Sequence, residues 1–168
     1  MKTLHISKVP RIIKNRKRLE QELDVKISNQ GTEVQISGKS ENEFVAEQVL
    51  EALNIGFPYG VAMLIKQEDL MFEIINIKDH TKRKDLSIIR GRIIGTNGKT
   101  LKVLSDVSEC FLELDAKNNR VGIIGDPEKM PSTHTAITSL IKGAKTGNIY
   151  AYLEKHHPPK IFDLGLKK

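Results

Sequence analysis

The 168-residue chain has one cysteine, no tryptophan and only 5% aromatic residues. A single thiol, Cys110, can neither close an intramolecular disulfide nor build a cysteine metal cluster. In its strand-like setting it reads as a small buried hydrophobe. No apolar run approaches the ~18 residues that a membrane span needs. The opening Met-Lys-Thr-Leu-His-Ile-Ser-Lys has no apolar core of a leader segment. These absences point to a cytoplasmic protein with no membrane partner. Metal-binding patterns are missing too. His156 and His157 are adjacent, which on a helix splays them by about 100°, and no acid or cysteine pattern accompanies them. His5, His80 and His134 are isolated. Asp79 and Asp85 flank a basic stretch at 82–84, and no spacing gathers several carboxylates around metal ions. We therefore expect no catalytic residue, no metal and no cofactor.

Hydrophobic residues make up 39% and charged residues 29%, which suits a folded chain. The formal net charge is +6 and the pI is ≈ 9.4, favouring an anionic partner such as nucleic acid. The strongest local signal is at residues 90–104. Gly95-Thr96-Asn97-Gly98 is a G-x-x-G loop, preceded by Ile93 and Ile94 and followed by a basic, helix-compatible run that includes Leu101. Two residues without a Cβ allow close backbone approach. A helix starting near Gly98 turns its free N–H groups toward the loop. Arg90, Arg92, Lys99 and Lys102 supply positive charge. Apolar wall, close backbone and basic rim together suit single-stranded RNA, with bases on the wall and phosphates on the loop. Gly98-Lys99-Thr100 also reads like the end of a nucleotide-binding P-loop. That motif needs a glycine at position 93, where Ile93 stands, and a preceding strand, where the pattern is helical.

In chain order, residues 3–6 read as a strand. Lys8, Arg11, Lys14, Arg16, Lys17 and Arg18 follow with no acid among them, and residues 14–23 read as a helix with Leu19 and Leu23 on one edge. Val25, Ile27, Val34 and Ile36 alternate across a turn at 29–31, giving a hairpin. A helix over 41–54 starts from a cap at Ser40 and ends at Gly56, and another opens at Pro58. The second half repeats the plan. A strand spans 70–77, a helix 84–94, then come the loop and its helix. Next is a strand with Cys110, Leu112 and Leu114 on one face and Phe111 on the other. A turn at 117–119, a return strand through Val121 and Ile123, and helices over 128–142 and 149–154 complete the plan.

The pairs Val34/Val121, Ile36/Ile123, Gly38/Gly125, Leu53/Leu140, Gly56/Gly143 and Gly60/Gly147 are all separated by 87 positions, which marks an internal repeat. Placing Leu19 on Val103 and Leu23 on Val107 sets Gly95–Gly98 against Arg11, Ile12, Ile13 and Lys14, so the first half has no G-x-x-G. Its basic run at 8–18 has three open readings: a non-specific phosphate contact, a surface for protein or ribosomal RNA, or a solvated helix face.

The order β-α-GxxG-α-β-β-α around Ile-Ile-Gly-x-x-Gly-Lys resembles a type I KH domain, whose loop clamps about four nucleotides. The resemblance implies an α/β (α+β) fold of tandem type I KH domains, each a three-stranded antiparallel sheet covered on one face by helices. The expected divisions are 1–66, a degenerate domain without GxxG, 67–156, with GxxG, and a tail at 157–168. Arg90–Thr100, Gly125-Asp126-Pro127-Glu128 and the glycine–tyrosine–leucine pattern from Gly143 to Glu154 further resemble the archaeal KH-domain ribosome-assembly proteins, relatives of the eukaryotic partner-of-Nob (Dim/Pno-type) pre-rRNA processing factor. That family implies binding to the 3′ end of 16S rRNA, and partnership with the endonuclease that trims it and with the alpha subunit of translation initiation factor two. Carried onto this sequence, its RNA-binding residues are the loop, the flanking Arg92, Ile93, Ile94 and Lys99, and the strand around Leu112. The Thr96-Asn97 pair departs from the family, many of whose members have a basic residue inside the loop.

Overall fold

Alternation of apolar and polar residues builds two small sheets, and i,i+3/i+4 apolar spacing builds the helices that cover them. A computed structural model describes residues 1–157. Residues 158–168 of the expected tail lie outside the described residues. The first half runs β1 (Lys2–His5), α1 (Val9–Lys14), α2 (Arg16–Leu23), β2 (Val25–Gln30), β3 (Glu33–Gly38), α3 (Ser40–Ile55) and α4 (Tyr59–Gln67). The second runs β4 (Met71–Asn76), α5 (Ser87–Ile94), α6 (Lys99–Ser108), β5 (Phe111–Asp115), β6 (Arg120–Gly125), α7 (Met130–Ile141) and α8 (Thr146–His156). Both sheets are antiparallel with the same topology, β1-β3-β2 and β4-β6-β5. Ile27 faces Ile36 across the first hairpin as Leu112 faces Ile123 across the second.

Several expected boundaries move. Residues 9–14 form a separate helix, α1, which sequence periodicity did not reveal. Its start is fixed from a distance: the side-chain oxygen of buried Asn54 accepts hydrogen bonds from the N–H groups of Ser7 and Lys8 at 3.1 and 3.0 Å. α5 begins at Ser87, not 84, because Asp85 accepts from both the N–H and the hydroxyl of Ser87 and makes a turn there. Ser40 is the first residue of α3 and not its cap, since Lys39 holds the extended cap position. Gly147 lies inside α8 instead of bounding it.

The two halves share one arginine clamp. Arg11 donates to the carbonyls of Leu53 and Phe57 at 2.9 and 2.8 Å, at the end of α3. Arg92 donates to those of Leu140 and Ala144 at 3.0 and 2.5 Å, at the end of α7. Arg11 is thus the counterpart of Arg92, Ile12 of Ile93 and Ile13 of Ile94. Farther along, Asp24 and Glu109 both take left-handed backbone at the ends of α2 and α6. This corrects the sequence alignment. Gly95–Gly98 do not fall on Arg11–Lys14; they are an insertion of four residues, and the first half passes from α1 to α2 through Asn15 alone.

The expectation that each sheet is covered on one face holds for the first sheet only. There Val25, Ile27, Val34 and Ile36 are buried, and Lys26, Ser28 and Ser37 are exposed. The second sheet is covered on both faces. Val121 and Ile123 face their own helices, while Ile124 belongs to the first half's core with Phe72 and Ile74 packed against it. Phe57 meets Phe72 edge-on, with centroids 6.3 Å apart. At the margin of this junction the Asp115 carboxylate, 1% exposed, accepts from Arg120 at 3.0 Å and from Asn118 at 3.0 Å. Arg120 also reaches Glu51 of α3 at 3.8 Å.

Burial pushes the Asp115 carboxyl up, but the hydrogen bonds from Asn118 and Arg120 outweigh it and hold the group below the ordinary aspartate range. Its stabilisation is therefore present above the unfolded aspartate value and is lost as pH falls through the lower folded value. We expect Asp115→Asn to cost about 3 kcal/mol at neutral pH, with the deficit shrinking as pH drops through the acid range. Urea unfolding at several pH values checks this; a deficit that does not vary with pH contradicts it.

Candidate nucleic-acid interface

α5 and α6 both pack on β5, the edge strand of the second sheet. The G-x-x-G loop joins these two helices. Gly95 ends α5 with φ 73° and ψ 179°, a region essentially closed to other residues. A Cβ there would lie 2.1 Å from the Thr100 hydroxyl oxygen and 2.8 Å from the Thr100 nitrogen. Asn97 and Gly98 both take left-handed backbone, at φ 56° and 74°. A Cβ on Gly98 would meet nothing within 4 Å. Asn97 is of the residue type that, after glycine, takes this backbone most readily. Packing thus requires glycine at Gly95, whereas at Gly98 only the left-handed backbone favours it. The bare Gly98 leaves open space on the outer side of the loop.

No side chain caps α6, whose cap residue is Gly98. Its first-turn N–H groups adjoin the loop together with exposed Lys99 and Lys102. Thr96 and Asn97 are exposed, and the Thr96 carbonyl accepts from the Lys99 N–H. That surface can receive phosphate oxygens. Ile94, 36% exposed, and half-buried Leu101 give it an apolar border.

Other expected site residues lie elsewhere. Ile93 is fully buried and pairs at i,i+4 with buried Ile89, so it belongs to the core and not to an open wall. Leu112 is 8% exposed and forms the floor behind the edge. Arg92 is directed at the carbonyls of α7, and Arg90 donates to the Asn119 side chain on the β5–β6 turn at 2.5 Å. Both arginines fix the scaffold around the loop. Phe111, read from sequence as lying on the opposite face of its strand, is 41% exposed, while exposed Ile88, at 53%, escaped sequence reasoning. The Ile89/Ile93 core pair could have revealed Ile88, because a residue one position off that pair leaves the buried face.

Cys110 and His157 are structural. Cys110 is buried, and burial pushes its thiol up despite hydrogen bonds with Thr133 and Ser108. His157, placed by sequence at the start of the tail, is buried. Its Nδ1–H donates to the Ser108 carbonyl at 2.8 Å, and its Nε2 bonds the Ser132 hydroxyl. Among the described residues no cluster of three His, Cys, Asp or Glu is placed to hold a metal ion, and no helix is long and apolar enough to cross a membrane. The loop follows a helix, not the strand that a P-loop requires.

Residues 71–158 match the family model described as eukaryotic type KH-domain (KH-domain type I). The KH domain-containing protein MJ0443 of Methanocaldococcus jannaschii is 28% identical over 149 residues, covering 83% of this chain and 64% of that protein. The pre-rRNA-processing protein pno1 of Aspergillus fumigatus is 32% identical over 113 residues, covering 65% of this chain and 44% of that one. The chain thus spans just under two thirds of the first relative and less than half of the second. Among solved structures, Dim2p from Pyrococcus horikoshii superposes with a TM-score of 0.82 at 28% identity, covering 92% of this chain and 98% of that one. An a/eIF2alpha–aDim2p–rRNA complex from the same organism matches with a TM-score of 0.82 at 28% identity, covering 93% of each chain.

Proposed function

The chain belongs to the eukaryotic type KH-domain family (KH-domain type I), and from that premise we propose that it is a non-catalytic, cytoplasmic RNA-binding protein of small-subunit ribosome assembly. In this reading it is a tandem of two KH units, 1–66 without the loop and 67–156 with it. The second unit clamps single-stranded RNA at the 3′ end of 16S rRNA. Backbone phosphates sit on Thr96–Gly98 and on the first turn of α6, and Lys99 and Lys102 neutralise them. Bases lie against Ile94 and Leu101, and the free backbone edge of β5 near Leu112 reads their edges. Ile93, Arg90 and Arg92 hold the loop in place from behind.

The open space in front of Gly98 is the observation that carries this reading. The names of the relatives, pre-rRNA-processing proteins and an rRNA-bound Dim2p complex, support the same substrate. A single strand matching the rRNA 3′ end, titrated beside a scrambled strand at fixed salt, tests it. Preference for the matched strand is expected, and equal affinity overturns the reading.

The presence of a/eIF2alpha in the matched complex favours a second reading, a protein-binding adaptor for the alpha subunit of initiation factor two. The endonuclease that trims the rRNA end would be a further partner. Purified complexes that keep the factor but carry no RNA would favour the adaptor over the RNA reader.

A further inference from the structure

We propose that the chain holds a single nucleobase in a polar cleft between its two halves, separate from the G-x-x-G loop. This inference rests on the RNA-binding reading above. The cleft has a volume of about 290 Å³, close to the lower bound for clefts that take small ligands. His5 and Ser7 line it from the end of β1 and the approach to α1. Asn54 lines it from α3, and Asn118 and Arg120 from the β5–β6 turn and the start of β6.

Asn54 is only 2% exposed. Its side-chain oxygen accepts from the Ser7 N–H, the Ser7 hydroxyl and the Lys8 N–H at 3.1, 3.1 and 3.0 Å. Three donors on one atom fix which end of the amide is the oxygen. The Nδ2 group therefore turns away from them, and it has no acceptor among the described residues. A buried amide donor without a partner is costly unless something from outside the chain meets it. Asn118 donates to Asp115 through its N–H and its Nδ2, at 3.4 and 3.0 Å, and its side-chain oxygen stays free. The Ser7 hydroxyl, donating to Asn54, keeps its lone pairs for a ligand. The cleft thus offers a donor beside acceptors.

Charge narrows the ligand further. Arg120 is answered by two carboxylates, Asp115 at 3.0 Å and Glu51 at 3.8 Å. A phosphate, charged and made only of acceptors, gains little there. The Watson–Crick edge of a base carries no charge and sets an acceptor beside a donor, which matches Asn54 beside Ser7 and Asn118. The planar guanidinium of Arg120 suits the face of the same base. The position of the cleft supports this occupant. β5, whose free edge reads bases in the proposed function, ends at Asp115 and leads into the turn that carries Asn118. Arg90 of α5 ties that turn to the loop's own scaffold through Asn119. A strand that continues past the end of β5 brings its next base to the cleft.

The test uses the full chain and a single strand of about eight nucleotides matching the rRNA 3′ end, twice the length that the loop accounts for. Each base in turn is removed while its sugar and phosphate stay. At one position outside the four that the loop holds, removal is expected to weaken binding to wild type about tenfold. Asn54→Asp keeps an oxygen for Ser7 and Lys8 and turns the free donor into an acceptor. That same position is expected to lose its effect in the variant, while the loop positions keep theirs. A 4-thiouridine at that position is expected to crosslink wild type at residues 5–7, 54 or 118–120, a readout that does not depend on the variant folding. The four nucleoside monophosphates, titrated alone, distinguish a base of the strand from a free nucleotide. Either source supports the site if Asn54→Asp abolishes its binding. The proposal is overturned if no position outside the four matters and no mononucleotide binds. It is equally overturned by a penalty of the same size in wild type and Asn54→Asp, or by crosslinks confined to α5, α6 and β5. Strand affinity untouched by Gly98→Asp overturns the clamp reading instead and leaves the contrast at Asn54 standing, so the two failures are distinguishable.

Discussion

Gly122→Val is expected to destabilise the protein by about 3 kcal/mol, one of the largest effects available from a single substitution. Gly122 lies on β6, on the face of the second sheet that meets the first half. A Cβ there would fall 2.7 Å from Cε2 of Phe57 and 3.2 Å from two carbons of Ile55. Those side chains cannot move aside easily. Both are buried, and Phe57 is held edge-on against Phe72. Inserting a branched side chain must therefore push α3 and the segment after it away from the sheet. Denaturant unfolding measures the loss. A change within about 0.5 kcal/mol, the range of an ordinary surface substitution, would mean that the halves are not packed in this way.

That junction was partly legible in the sequence. Val121-Gly122-Ile123-Ile124-Gly125 is an unbroken run without polar residues, the mark of a strand buried on both faces. Reading only Val121 and Ile123 as core left the far face unaccounted for. The α1 helix was hidden for a different reason. Its residues Val9, Ile12 and Ile13 lie among basic residues, with Pro10 in the first turn, and its anchors are remote: Asn54 at its start and the Leu53 and Phe57 carbonyls that hold Arg11. Contacts between residues more than 40 positions apart leave no periodic trace. The same limit explains why Arg90 and Arg92 read as phosphate ligands. Their charge is visible in the sequence, whereas the acceptors that hold them are not. The loop itself was legible because its signal is local, two glycines at fixed spacing between apolar and basic flanks.

The two loop glycines are expected to behave differently, and the contrast separates folding from binding. Gly95→Ala must leave a backbone region that alanine does not occupy and must displace Thr100, whose side-chain oxygen lies 2.1 Å from the new Cβ. A loss of about 3 kcal/mol is expected, with a melting transition shifted to match. Gly98→Ala keeps left-handed backbone in open space and should cost only about 1 kcal/mol. Equal stability losses at the two positions would contradict the geometry described for the loop. The practical consequence is that binding experiments belong on Gly98. A variant at Gly95 changes the loop before any ligand arrives.

RNA binding by Gly98→Asp, measured beside wild type, shows whether the loop holds the strand. A short strand matching the 3′ end of 16S rRNA would be titrated at fixed low salt, with the unfolding midpoint of each protein recorded. A carboxylate at Gly98 fills the space open to a phosphate backbone and repels it. The variant is expected to lose at least about tenfold in affinity and its preference over a scrambled strand, while staying folded. If the folded variant binds the matched strand as wild type does, the G-x-x-G loop is not where this protein holds RNA.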